Sequence, residues 1–106
     1  MKRVVIICRT APGGKRRLAE EAFRLAAGLS ATDRLQLDFV LQQGGLLLLE
    51  PEFSGSPSSW DSLQAAQTRI CLPPGVPRSI PGVAFHPLPE GDLEKFTQGA
   101  DLVLRF

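Results

Sequence analysis

Two cysteines and one run of cations are the residues of this chain whose types could do chemistry. Cys8 closes the apolar run Val4-Val5-Ile6-Ile7 and is followed by Arg9-Thr10-Ala11-Pro12-Gly13-Gly14-Lys15-Arg16. A cysteine at the end of a strand, ahead of such a loop, is one layout of a thiolate nucleophile for phosphorylated substrates. That chemistry needs an arginine, working with the loop amides, to grip the phosphate oxygens. In the required place, the sixth residue after Cys8, stands Gly14, and Arg16 comes two positions late. A nucleotide phosphate loop fares no better. It needs a glycine five positions before its Gly-Lys and a Ser or Thr after the lysine. Arg9 and Arg16 occupy those positions, so the motif fails at both ends.

The remaining cations keep a second use open. Lys15, Arg16 and Arg17 fall at the predicted start of a helix, where positive charge opposes the macrodipole. Either an anion or acidic partner is met there, or the long side chains simply point into solvent. Arg9, Thr10, Gly13, Gly14, Lys15 and Arg16 are the candidate anion- or partner-binding residues. Cys71 is the second thiol, at the predicted end of the third strand and so at the same sheet edge. A reactive thiolate wants a helix N-terminus or a nearby cation; prolines deny Cys71 the helix, while Arg69, Arg78 or the N-terminal basic cluster could supply charge. His86, the one histidine, has no Cys, Asp or Glu at ligand spacing, so no metal site is expected. Nothing in the chain calls for a cofactor.

These residues depend on elements that the apolar pattern defines. Residues 3–8 read as a strand buried on both faces, which implies a parallel sheet covered by helices. Its C-terminal loop would then lie where open α/β folds place ligands and partners. Leu18, Ala22, Leu25, Ala26 and Leu29 mark the inner stripe of an amphipathic helix over residues 15–29, ended by Gly28 and Ser30. Asp33 marks a turn. Residues 35–41 alternate apolar and polar, which predicts a half-exposed strand near a sheet edge. Gly44-Gly45 leave room for close approach, and the four leucines after them favour a short buried helix. Residues 50–58 read as loop, with Ser58 or Ser59 capping a helix over residues 60–67. Phe53 and Trp60 are expected to anchor that loop or a subunit interface. Further strands fit residues 68–72, 83–85 and 102–106, with a helix over 89–99 that turns Leu93 and Phe96 inward. The result is a single α/β domain over residues 1–106, three layers deep, with a mainly parallel five-stranded sheet. One crossover helix is missing, in the proline-rich link between Cys71 and Val83.

Composition narrows the class. With 106 residues and 43% hydrophobic content the chain can build one real core. A net charge of +1 gives no global case for nucleic acid or membrane. Lys2, Arg3, Arg9, Lys15, Arg16 and Arg17 nevertheless precede the first acid, Glu20. Two distant cysteines are not a disulfide framework, and no apolar run approaches the roughly 20 residues of a membrane span. A soluble, cytoplasmic protein is expected.

Several segments together resemble a known family. They are the first strand with Thr10-Ala11-Pro12-Gly13, the helix after it, and Asp33 to Val40. Gln42 to Leu49 and the terminal Gly99 to Phe106 add to them. All are similar to the small sulfur-relay subunits of the DsrE/DsrF/DsrH and TusB/TusC/TusD group, closest to the TusC/DsrF branch. That resemblance implies a DsrEFH-like, flavodoxin-related fold and assembly with paralogous DsrE/TusD-like and DsrH/TusB-like subunits. It also implies passage of persulfide sulfur to a sulfur-carrier protein, for tRNA thiolation or sulfur oxidation. In the family the working cysteine belongs to the TusD/DsrE-type subunit, and Cys71 falls where its central-strand cysteine is placed. Here Leu72-Pro73-Pro74-Gly75 replaces the helix that normally follows, which favours an interaction role over catalysis. The alternative is a stand-alone enzyme that uses Cys8 and its loop on an anionic, phosphorylated substrate.

Overall fold

The computed structural model describes residues 2–32, 34–50, 60, 63, 68–75 and 83–106. Strand β1 (Lys2–Cys8) leads through a loop to helix α1 (Leu18–Ser30), and then come β2 (Leu35–Leu41) and a 3-10 helix (Gln43–Leu49). Strands β3 (Arg69–Leu72) and β4 (His86–Pro87) follow. A 3-10 turn (Glu90–Asp92) runs into helix α2 (Leu93–Thr97), and β5 (Leu102–Arg105) ends the chain. The five strands form one all-parallel sheet in the order β4-β3-β2-β1-β5. The expected α/β class and five-stranded sheet are therefore observed.

Each inner strand serves two cores because its successive side chains alternate between faces. Val4, Ile6 and Cys8 join Leu37, Phe39, Leu41, Ile70 and Leu72 beneath α1 and the first 3-10 helix. Val5, Ile7, Val40 and Cys71 point the other way, against Leu88 and Leu93. That second core is much the smaller, and α2, five residues long, is its helical cover. Fully burying one large aliphatic or aromatic side chain contributes roughly 1.5–3 kcal/mol. Most of that contribution lies on the α1 side, where Ile6, Phe39, Leu41, Trp60 and Leu63 are all shut off from solvent.

Helix α1 begins at Leu18, not at Lys15, and Gly28 lies inside it. Arg17 is its N-cap in the left-handed region, with φ 49°, and Lys15 and Arg16 stay in the exposed turn before it. The innermost positions are Ala19, Ala22, Ala26 and Ser30, while Phe23, Leu25 and Leu29 pack at the margins. Small residues at the closest approach let the helix settle onto the sheet, which rotates the buried stripe away from the leucines. Ser30 then meets Thr68 through a buried hydroxyl pair 2.6 Å apart.

Four expectations about the strands are corrected. Strand β2 is the central strand, not an edge, and Asp38 is buried within it. The fourth strand is His86–Pro87, two residues long, and not residues 83–85, because Val83 and Phe85 pack onto the α1-side core ahead of it. Cys71 is the penultimate residue of β3 rather than its last, and β5 ends at Arg105. Asp33, most of the 50–58 loop with Phe53, and the 76–82 part of the proline-rich link lie outside the described residues. So do the cap at Ser58 or Ser59 and most of the 60–67 helix. Trp60 and Leu63, both helical and buried, belong to the first core. Trp60 meets Phe23 edge to face, centroids 4.8 Å apart, and Phe23 in turn meets Phe39 at 6.1 Å. Its ring is thus spent inside the chain.

The close approach expected of Gly44-Gly45 is found. A Cβ on Gly44 would sit 2.7 Å from the Ala11 amide nitrogen, and one on Gly45 would run into the Cys8 carbonyl. The pair lets the first 3-10 helix lie directly on the end of β1, and this contact encloses Cys8.

Candidate functional site

The loop after β1 is held by its own residues. The Arg9 amide donates to the Phe106 carbonyl at 2.9 Å, and its Nε donates to Gln42 Oε1 at 3.0 Å. Gly13, at φ 93°, donates its amide to both oxygens of Glu20, at 3.2 and 3.3 Å. The Gly14 carbonyl accepts from the Arg17 amide at 3.1 Å. Thr10 is half-buried, and Lys15 and Arg16 reach into solvent. A carboxylate therefore occupies the loop amide that a phosphate would need, and like charge there repels an oxyanion.

Cys8 lies beneath this loop with no exposed surface, its Sγ 3.6 Å from the Thr10 carbonyl and 3.2 Å from where a Cβ on Gly45 would stand. Burial pushes its thiol above the ordinary cysteine range, a backbone hydrogen bond with Thr10 partly offsets this, and the nearby Glu20 carboxylate adds to the rise. The surroundings of Cys8 thus favour a protonated, inert thiol.

Cys71 is equally enclosed but on the opposite face, so the sheet itself separates the two thiols. Its thiol is pushed up to about 12. Desolvation is the main cause, the Asp38 carboxylate adds to it, and Arg69 and Arg3 pull back. Its register partner on β4 is His86, which is exposed. Both cysteines stand at the carboxyl-terminal edge of the sheet, as expected, but they face opposite sides of it.

What surrounds Cys71 is a charge cluster that the sequence did not announce. Asp38 is fully buried and accepts from Arg69 Nε and Nη2 at 2.6 and 2.9 Å, and from Arg3 Nε at 2.9 Å. Arg3 also donates to the Phe96 and Gln98 carbonyls at 2.8 and 3.3 Å. Both guanidiniums lie over the Phe96 ring, 4.7 and 5.4 Å from its centroid. The Asp38 bond holds the Arg69 guanidinium more firmly protonated than usual. One acid on the central strand is thus gripped by a cation from each flanking strand. The signal available was an acid inside an apolar strand with one arginine in each neighbouring strand, but only the strand order makes these adjacent.

A five-stranded parallel sheet in this order, with α1 on one face and α2 on the other, is an open α/β fold. The whole chain is similar to the crystal structure of the ychN protein from E. coli, at a TM-score of 0.73 and 24% sequence identity. The match covers 100% of both chains, and at that identity it speaks for the fold. No family model matches the sequence, and no curated protein does. Among the described residues no helix is long and apolar enough to cross a membrane.

Proposed function

We propose that this chain is a sulfur-relay subunit that contributes a scaffold and an interaction surface, not a sulfur-carrying thiol. The observation that carries this reading is the burial of both cysteines, on opposite faces of a DsrE-like sheet. A relay cysteine attacks the outer sulfur of a donor persulfide as thiolate, expels the donor thiolate, and hands the sulfur to an acceptor thiolate. Neither Cys8 nor Cys71 offers an accessible thiolate for that attack. The partners are paralogous DsrE/TusD-like and DsrH/TusB-like subunits together with a sulfur-carrier protein, serving tRNA thiolation or sulfur oxidation. Surface for such partners exists: β5 is an edge strand with Leu102 49% exposed, and Leu47 is 42% exposed on the first 3-10 helix. The test is light scattering on this chain alone and mixed with the paralogous subunits. A mixed complex of fixed stoichiometry is expected. A chain that remains monomeric beside all of them contradicts the reading.

A further inference from the structure

Where β1 and β5 end, on the α2 face of the sheet, a pocket of about 450 Å3 is lined by Arg9, Arg105, Glu90, Glu94, Leu93 and Thr97, with Gly91. Its two walls carry opposite charge. Arg105 pairs in register with Ile7, and the Arg9 amide bonds the next carbonyl, so both arginines stand at the ends of adjacent strands. Glu90 and Glu94 come from the 3-10 turn and the first turn of α2, one helical period apart. Leu93, only 6% exposed, joins the apolar core between them.

The charges in this pocket are arranged but not spent on one another. The ion pairs among the described residues are Arg3–Asp38, Arg24–Glu21 and Arg69–Asp38, and none crosses the pocket. Arg9 is fixed at its Nε by Gln42, whose side chain is 99% buried by its 1% exposure, and this leaves the terminal nitrogens of the guanidinium free to bind. Arginine has no acceptor, so the Gln42 amide oxygen must face it. The Gln42 Nε2 then lies buried without a partner among the described residues. A buried amide group without a partner is destabilising, and here it accompanies the fixing of Arg9 in one place.

We infer that this pocket binds a small zwitterion of the α-amino-acid class. Its carboxylate would lie between Arg9 and Arg105, and its ammonium against Glu90 and Glu94. The charge pattern selects for both ends together. A simple anion is repelled by the two carboxylates, and a simple cation by the two guanidiniums, whereas a zwitterion bridges walls too far apart to pair directly. The position agrees with the rule that open parallel sheets bind ligands beyond the carboxyl ends of their strands. This inference does not depend on the sulfur-relay reading.

The test is an amide-resolved NMR titration of the full chain at low salt with L-alanine, acetate and methylammonium as separate probes. L-alanine is expected to shift the amides of Gly91, Leu93, Thr97 and Arg105 with a Kd of about 1 mM, and the other two probes to bind at least about tenfold more weakly. Arg105→Gln and Glu94→Gln should each weaken L-alanine about tenfold or more, with the rest of the spectrum unchanged as proof of folding. Acetate binding as well as L-alanine would overturn the proposal in favour of a plain anion site. Shifts that survive both substitutions, or no shifts at all, would also overturn it. So would tighter binding of a capped peptide alternating lysine and glutamate, which would mark a docking groove for protein.

Discussion

Asp38 and Arg69 face each other in register on adjacent parallel strands, and the guanidinium grips the carboxylate through bonds of 2.6 and 2.9 Å. The Asp38 side chain is fully buried, while those of Arg69 and Arg3 are 38% and 19% exposed. The acid therefore depends on its cations more than they depend on it. They can turn to water if it is removed, but it cannot. The cluster ties β1, β2, β3 and the end of α2 together on the face with the smaller core.

Removing one kind of partner should reveal this asymmetry. Arg3→Met with Arg69→Met leaves a carboxylate buried and unpaired, and is expected to cost about 3–5 kcal/mol in urea unfolding. Asp38→Ala leaves two arginines that can reach solvent, so its cost is expected at about 2–3 kcal/mol. The triple variant with Asp38→Leu should recover most of the loss, since apolar groups of similar volume replace the cluster. A double arginine variant no less stable than the parent would contradict the assignment.

The glycine contacts separate two effects within one chain. Gly45→Ala drives a methyl into the Cys8 carbonyl, which is backbone and cannot turn aside, so a loss of about 2 kcal/mol or more is expected. Gly28 lies exposed inside α1 with nothing near its absent Cβ. Gly28→Ala is expected to raise stability by about 0.5–1 kcal/mol through helix propensity and a less free unfolded chain. Thermal unfolding of the two variants beside the parent checks both signs.

Much of the fold could be read from the sequence because its signals are local. The bounds of β2 and the start of the loop after β1 follow from apolar pattern and glycine placement alone. The inward turn of Leu93 and the fit of Gly44-Gly45 also came from neighbouring residues. What could not be read depends on strand order. Alternation in β2 looks like exposure because Asp38 is polar, and only the placement of β2 between β1 and β3 turns that residue into a buried anchor. The two cysteines both sit near the carboxyl ends of apolar strands, yet their opposite faces follow from residue parity within a register that no local pattern sets. The Arg9–Arg105 wall joins opposite ends of the chain, so no local pattern could bring it into view.

The raised thiols have a pH signature. A group whose folded pKa lies above its unfolded value supports stability fully below the unfolded pKa and loses it as pH rises through the folded one. With Cys71 pushed up to about 12 and unfolded cysteine near 8.5, stability should fall steadily above about pH 9. Cys8 shifts in the same direction and adds to the slope. Unfolding free energies measured from pH 7 to 10.5 are expected to show this decline. It should shrink in Cys71→Ala and shrink further when Cys8→Ala is added. An equal slope in parent and double variant would mean that the buried thiols do not cause it.

Both cysteines enclosed on opposite faces is the fact on which the scaffold role stands. The most direct measurement is intact-mass spectrometry of the chain, folded and mixed with the paralogous subunits proposed as its partners, after exposure to a persulfide donor. The expected result is that this chain gains no sulfur while the proposed DsrE/TusD-like partner gains the mass of one sulfur atom. Transfer to the carrier protein should then proceed at the parental rate with Cys71→Ala in the complex. A sulfur atom retained at Cys71, with transfer abolished by that substitution, would contradict the scaffold role outright.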